Sequence, residues 1–93
     1  MTLPGDEVQW RTHELPGWSV QPNALHKEYH FPDFTAAMDF VNRVAGLAEA
    51  ANHHPDITIR WNRVTLTLTS HDAGGVTERD LNLAYQIEAA VAG

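Results

Sequence analysis

Apolar and polar residues alternate most regularly in the second half of the chain. In residues 64–69 an apolar residue and a threonine take turns, and this two-residue period predicts a strand with one buried face. Ile57, Ile59 and Trp61 alternate in the same way just before it, so residues 62–63 are predicted to close a tight antiparallel hairpin. Trp61 continues the face of the two isoleucines, and we expect its side chain in the core.

An earlier and less regular alternation predicts a second hairpin. Between residues 25 and 31, apolar side chains share one face with Lys27, and polar side chains occupy the other face. Residues 18–20 are predicted to pair with this strand across a turn at residues 21–23, in which Pro22 restricts the backbone.

Between the two hairpins, a three-to-four-residue period predicts a long helix. Asp33 is the expected N-cap, and the period continues to about Ala51. The apolar residues form two adjoining stripes, Phe34-Met38-Val41-Ala45-Ala48 and Phe40-Val44-Leu47-Ala51. Together they span about half of the helix circumference, which is more than one sheet contact requires. We therefore expect the second stripe to contact another subunit.

Two further helices complete the predicted architecture. Thr77 and Asp80 have the spacing of a capping box, which opens a helix that runs to about residue 91. A short helix is predicted over residues 5–15, ended by Pro16 and Gly17. The order α-β-β-α-β-β-α predicts an α+β domain with two layers, its helices on one face of the sheet.

The composition indicates one small globular domain and removes several classes of function. With 93 residues, 43% hydrophobic and 19% charged, the chain is expected to form a single domain over residues 1–93. It has no cysteine, so disulfides, thiolate nucleophiles and cysteine metal ligands are excluded. Its net charge of −6 opposes direct nucleic-acid binding. Without an apolar stretch long enough for a bilayer or a targeting segment, we expect no membrane contact and a cytoplasmic location.

Three of the six histidines flank the second hairpin and form the candidate site. Because the hairpin strands are antiparallel, His71 at the end of the second should return beside His53 and His54 before the first. Pro55 disfavours helical geometry at His54, so the pair is expected on an irregular turn. Glu49 lies four residues before His53, and its carboxylate is positioned to orient an imidazole. Imidazoles that titrate near ~6.5 can serve as acid and base together.

Two other interpretations of the histidines stay open at this level. Clustered histidines are often hydrogen-bonded polar or surface residues without a chemical role. His53, His54, Asp56 and His71 also include enough ligand types for zinc or non-haem iron. Adjacent histidines usually point to different sides, which disfavours joint ligation.

The pattern Glu49-x3-His53-His54-Pro55, followed by Trp61, His71 and Asp80, closely resembles the signature of the pterin-4a-carbinolamine dehydratase family. The resemblance covers about residues 15–92. It implies a four-stranded antiparallel sheet backed by three helices, assembled as a homodimer or homotetramer. It also implies dehydration of 4a-hydroxytetrahydrobiopterin to the quinonoid dihydropterin in tetrahydrobiopterin recycling, by histidine acid–base catalysis with neither metal nor cofactor.

The resemblance also implies a role for each matching residue. His53, His54 and His71 look like the catalytic and pterin-contacting histidines, and Glu49 resembles their supporting carboxylate. Trp18 looks like an aromatic residue of the pterin site, while the capping box is sufficient to give Asp80 a structural role. Some relatives act instead as transcriptional coactivators or assembly factors, so a protein-binding role is the main alternative.

Overall fold

The computed structural model describes residues 2–21 and 23–92, so Pro22 and its part of the predicted turn lie outside the described residues. The elements follow the predicted order. They are α1 (Gly5–Arg11), a 3₁₀ turn (Thr12–Glu14), β1 (Ser19–Gln21), β2 (Ala24–His30), α2 (Phe34–Ala51), β3 (Asp56–Arg60), β4 (Arg63–Leu68) and α3 (Glu78–Ala92). None of the described helices is both long enough and apolar enough to cross a membrane.

The four strands form one antiparallel sheet in the order β1-β2-β4-β3. In its centre, Leu25 pairs with Leu68 and Tyr29 with Val64, and all four side chains are buried. They form one core cluster with buried residues of α2 and α3, whereas the alternate positions of β2 and β4, apart from Ala24, carry polar side chains. This arrangement confirms the predicted two-layer α+β fold.

The second hairpin turns one residue earlier than predicted. Arg60 pairs with Arg63, so the two-residue loop is Trp61 and Asn62. The prediction that Trp61 lies in the core is wrong, because the turn takes it out of the pleat that aligns Ile57 and Ile59. Its side chain is 69% exposed, and its φ of 52° is in the left-handed region, which bulky residues rarely adopt.

Helix α2 begins as predicted, but the burial of its apolar residues does not follow the division into two stripes. Asp33 Oδ1 accepts the Ala36 N–H at 2.8 Å, which confirms the N-cap. Phe40 and Val44 of the second stripe are buried in the chain's own core. The prediction that this stripe faces another subunit is therefore wrong for its central residues. Phe34 of the first stripe is instead 49% exposed.

A polar cluster lies within the apolar layer and explains the lysine on the core face of β2. Glu88 Oε2 of α3 accepts hydrogen bonds from Lys27 Nζ at 2.8 Å, Trp18 Nε1 at 3.1 Å and the Tyr29 hydroxyl. Burial alone raises the pKa of Glu88, but these three hydrogen bonds outweigh it and the pKa lies below its usual value. Burial and the Glu88 carboxylate raise the pKa of Tyr29, so its hydroxyl stays protonated and donates.

Candidate active site

The end of α2 separates the two adjacent histidines. Asn52 adopts a left-handed conformation with φ of 51°, and the His53 N–H then bonds to the Ala48 carbonyl at 3.1 Å. This capping pattern stops the helix before Pro55 and sends His53 inward, where only 8% of it is exposed. His54 stays on the surface, with 59% of its side chain exposed.

His71 lies at the start of a tight loop that follows β4. Ser70 and Gly75 form an isolated antiparallel bridge, and the Ser70 carbonyl accepts N–H groups from Ala73, Gly74 and Gly75. Gly74 has a φ of 83°, a conformation that glycine adopts without steric cost. The loop therefore closes within six residues and holds His71 just beyond the end of β4.

The two histidine-bearing segments meet, as the antiparallel hairpin predicts. An open cavity of about 370 Å³ is lined by Asn52, His53, His54, Thr69, His71 and Asp72. All three predicted histidines thus share one cavity, and this confirms their convergence. Within residues 2–21 and 23–92, no group of three His, Asp or Glu side chains is arranged to hold a metal ion.

The exposed histidine is paired with Glu49. His54 Nε2 and Glu49 Oε2 lie 2.5 Å apart, and 77% of the glutamate side chain is exposed. The four-residue spacing suggested His53 as the partner of Glu49. The left-handed conformation of Asn52 ends the helical periodicity on which that spacing depends. The partner of Glu49 is therefore His54 and not His53.

The buried histidine is paired with Asp80, whose own side chain is fully buried. His53 Nε2 lies 2.5 Å from Asp80 Oδ1. Asp80 Oδ2 accepts the Thr77 backbone N–H at 2.8 Å and the Ser70 hydroxyl at 2.9 Å. The contact with the Thr77 N–H confirms the capping box at the start of α3. The contacts with His53 and Ser70 were not predicted, because they join residues that periodicity cannot relate.

A charged pair borders the cavity on the His71 side. Arg79 donates to Asp72 Oδ1 at 2.7 Å, and this hydrogen bond lowers the pKa of Asp72. Asp72 is therefore a carboxylate near neutral pH. Both side chains are at least half exposed or nearly so, and the pair therefore contributes little to stability.

Trp18 occupies a different place from the histidines. Its ring is buried, packs edge-on against Tyr29 with centroids 6.4 Å apart, and donates its indole N–H to Glu88. Trp18 is absent from the side chains that line the histidine cavity. Sequence reasoning overlooked Ser70, Thr69 and Asp72, whose only signal was their position beside His71.

The comparisons with known proteins point to one family. A family model described as pterin 4 alpha carbinolamine dehydratase matches residues 1–90. The chain is 62% identical over 74 residues to a protein of Thermomicrobium roseum, covering 80% of each chain. It is 54% identical over 82 residues to one of Roseiflexus sp., covering 88% of each. Both relatives carry the provisional name pterin-4-alpha-carbinolamine dehydratase.

Two solved structures have the same fold. A transcriptional coactivator/pterin dehydratase from Brucella melitensis superposes with a TM-score of 0.91 at 33% identity, over 96% of this chain and 97% of that one. A pterin dehydratase-like protein, identified as a RuBisCO assembly factor in the alpha-carboxysome, superposes with a TM-score of 0.64 at 23% identity. That likeness covers 77% of this chain and 83% of the other, and it shows the fold alone.

Proposed function

Because this chain belongs to the pterin 4 alpha carbinolamine dehydratase family, we propose that it dehydrates 4a-hydroxytetrahydrobiopterin in tetrahydrobiopterin recycling. The C4a–O bond breaks, and the leaving hydroxyl takes a proton and departs as water. A base removes the proton from N5, and the electron pair left on N5 forms the C4a=N5 double bond of the quinonoid dihydropterin. The balance needs one acid and one base, with no oxidant.

The observation that carries the proposal is the single cavity shared by His53, His54 and His71. Imidazole is the side chain best suited to donating and accepting protons near neutral pH. A positioned acid or base contributes about 10²- to 10⁴-fold to a rate. The cavity of about 370 Å³ is open on one side, so a substrate can enter it from solvent.

Glu49 and Trp18 have supporting roles in the proposal. The Glu49 carboxylate orients the His54 ring, since the two groups are in hydrogen-bond contact. The family resemblance assigns Trp18 to the pterin site, although the indole packs in the core beside Tyr29. A Trp18→Phe variant with unchanged pterin binding would restrict Trp18 to a packing role.

The decisive experiment compares dehydration of freshly generated 4a-hydroxytetrahydrobiopterin in buffer, with the protein, and with His53→Ala and His54→Ala variants. We expect acceleration by the protein and a loss of about 10²-fold or more in each variant. His30→Ala is the matched control, because His30 is exposed, pairs with Glu28 at 2.9 Å and lies outside the cavity. A rate equal to that in buffer alone would refute the proposal.

The proposed reaction requires neither metal nor cofactor. We expect that a chelator leaves turnover unchanged and that elemental analysis finds no stoichiometric zinc or iron. Activity that a chelator removes and one metal restores would favour the alternative in which His53, His54, Asp56 and His71 supply metal ligands.

A protein-binding role is the second candidate, favoured by two strongly exposed tryptophans. Trp10 is 75% exposed and Trp61 69% exposed, and exposed tryptophans are enriched at protein interfaces. The Brucella relative is itself a transcriptional coactivator as well as a pterin dehydratase by its description. A partner that co-purifies with the wild-type protein and is lost with Trp61→Ala, while dehydration is unaffected, would establish the second role.

We also propose a homodimer or homotetramer in the cytoplasm. The edge strand β3 suits a second copy, because antiparallel pairing about Thr58 sets Asp56 opposite Arg60 of the other copy. The exposed residues of the first α2 stripe offer an additional contact. A monomeric mass in sedimentation at micromolar concentration would contradict the assembly, and cell fractionation tests the location.

A further inference from the structure

The contacts of Asp80 exceed what a helix cap requires. To cap α3, the Asp80 carboxylate needs to accept only the Thr77 N–H. Asp33 caps α2 from an exposed position by accepting the Ala36 N–H. Asp80 is instead 0% exposed, and its second oxygen contacts His53. Burying a carboxylate is costly unless all of its oxygens are hydrogen-bonded. The site therefore maintains this group at a cost that capping alone does not explain.

We propose that Asp80 is a positioning residue for the reaction proposed above, because its carboxylate selects the His53 tautomer and ties His53 to the His71 loop. A carboxylate oxygen accepts hydrogen bonds, so His53 Nε2 carries the proton that faces Asp80 Oδ1. The lone pair of the neutral ring then belongs to Nδ1. Within the described residues Nδ1 has no hydrogen-bond partner, and His53 lines the cavity. Nδ1 is thus the base that removes the N5–H proton of the substrate.

Burial distinguishes this pair from the other carboxylate–histidine pair of the site. Asp80 is fully buried and His53 is 8% exposed, so the contact between them is shielded from solvent and fixes the orientation of the ring. The other carboxylate–histidine pair, Glu49 with His54, is largely exposed and strongly screened by solvent. The two pairs share one arrangement but differ in burial, and only the buried pair provides a preorganised proton acceptor.

The second function of Asp80 is to connect the two segments that carry the histidines. The Ser70 hydroxyl donates to Asp80 Oδ2, so the Thr77 hydroxyl must donate to Ser70 Oγ across their 2.8 Å contact. The Arg79 N–H in turn donates to Thr77 Oγ1 at 3.3 Å. Ser70 directly precedes His71, and its carbonyl closes the loop. One buried carboxylate therefore fixes the end of α2, the start of α3 and the His71 loop relative to one another.

The test is Asp80→Asn, with Asp33→Asn as the matched control. The asparagine amide can accept from Thr77 and Ser70 on its oxygen, but it presents an N–H₂ group to His53 Nε2. His53 must then carry its proton on Nδ1, the nitrogen that should act as the base. We expect kcat to fall by about 10³-fold with a smaller change in KM, in keeping with the known cost of a wrong histidine tautomer in other enzymes. Asp33→Asn should leave both constants unchanged.

A direct readout keeps this inference separate from the proposed reaction. Nitrogen-15 NMR of the imidazole should show protonated Nε2 in the wild-type protein and protonated Nδ1 in folded Asp80→Asn. This result is expected even if the protein proves to have no dehydratase activity, so the failure of either idea can be recognised. Ser70→Ala should retain the Nε2–H tautomer yet broaden the His71 signals. An unchanged tautomer in Asp80→Asn, or kcat lost equally in Asp33→Asn, would overturn the proposal.

Discussion

The cluster in which Glu88 accepts hydrogen bonds from Lys27, Trp18 and Tyr29 allows a quantitative test of how polar groups stabilise this fold. Glu88→Gln preserves the shape of the side chain but removes the charge that balances Lys27, whose side chain is only 15% exposed. The lysine keeps its hydrogen bond to the Pro16 carbonyl at 2.6 Å, so it is not left entirely without an acceptor. The variant therefore tests the charge itself rather than the packing.

The magnitude follows from the burial of the pair. Hydrogen bonds to charged groups contribute about 1.5–3 kcal/mol, and breaking a fully buried ion pair costs about 3–5 kcal/mol. Because Glu88 retains 18% exposure and Lys27 keeps one acceptor, we expect a loss of roughly 2–3 kcal/mol at pH 7. For a domain of this size the loss corresponds to a decrease in Tm of roughly 10–20 °C.

The stability that Glu88 contributes should depend on pH in a definite direction. The folded protein lowers the pKa of Glu88, so the carboxylate contributes stability above the usual glutamate pKa of ~4.3, and this contribution is lost as pH falls through the lower folded-state pKa. Thermal unfolding followed by circular dichroism between pH 7 and pH 3 should show the two proteins converging in acid. Asp39→Asn, an exposed change on α2, should shift Tm by little. Equal Tm values at pH 7, or a difference that does not vary with pH, would refute this reasoning.

Three further predictions concern the hairpin and the core. Trp61→Gly should raise Tm by several degrees in thermal unfolding, because glycine adopts the observed positive φ without strain, and a lower Tm would mean that the indole makes stabilising contacts. Ile87→Ala should cost about 2–5 kcal/mol in urea unfolding, since the side chain is fully buried, and a loss below about 1 kcal/mol would contradict that burial. Arg60→Asp should weaken dimerisation measured by sedimentation, and adding Asp56→Arg should restore it; failure of the double variant would exclude the proposed β3 pairing.

Local rules account for most of the secondary structure. The threonine alternation of β4, the Asp33 cap of α2 and the Thr77–Asp80 capping box depend on neighbours within a few residues, and the structure confirms each of them. The convergence of His71 with His53 and His54 was also predictable. It requires only that two consecutive strands pair in antiparallel fashion.

The errors arose where a local pattern had more than one three-dimensional outcome. Both α2 stripes are apolar, and only the docking of the helix on the sheet decides that Phe40 is buried while Phe34 is half exposed. Trp61 follows the alternation of β3, but a one-residue shift of the turn removes it from the strand. Periodicity records which residues share a face, and it does not state which face meets a neighbour.

The sequence by itself determined the element order, the α+β architecture and the meeting of three histidines at one end of the second hairpin. Only the tertiary structure decided which carboxylate serves which histidine. Asp80 reaches His53 across 27 positions of the chain, and Glu88 reaches Lys27 across 61. Such pairs form because a buried charge without a partner is costly. Burial is a property of the packed molecule and not of any one segment.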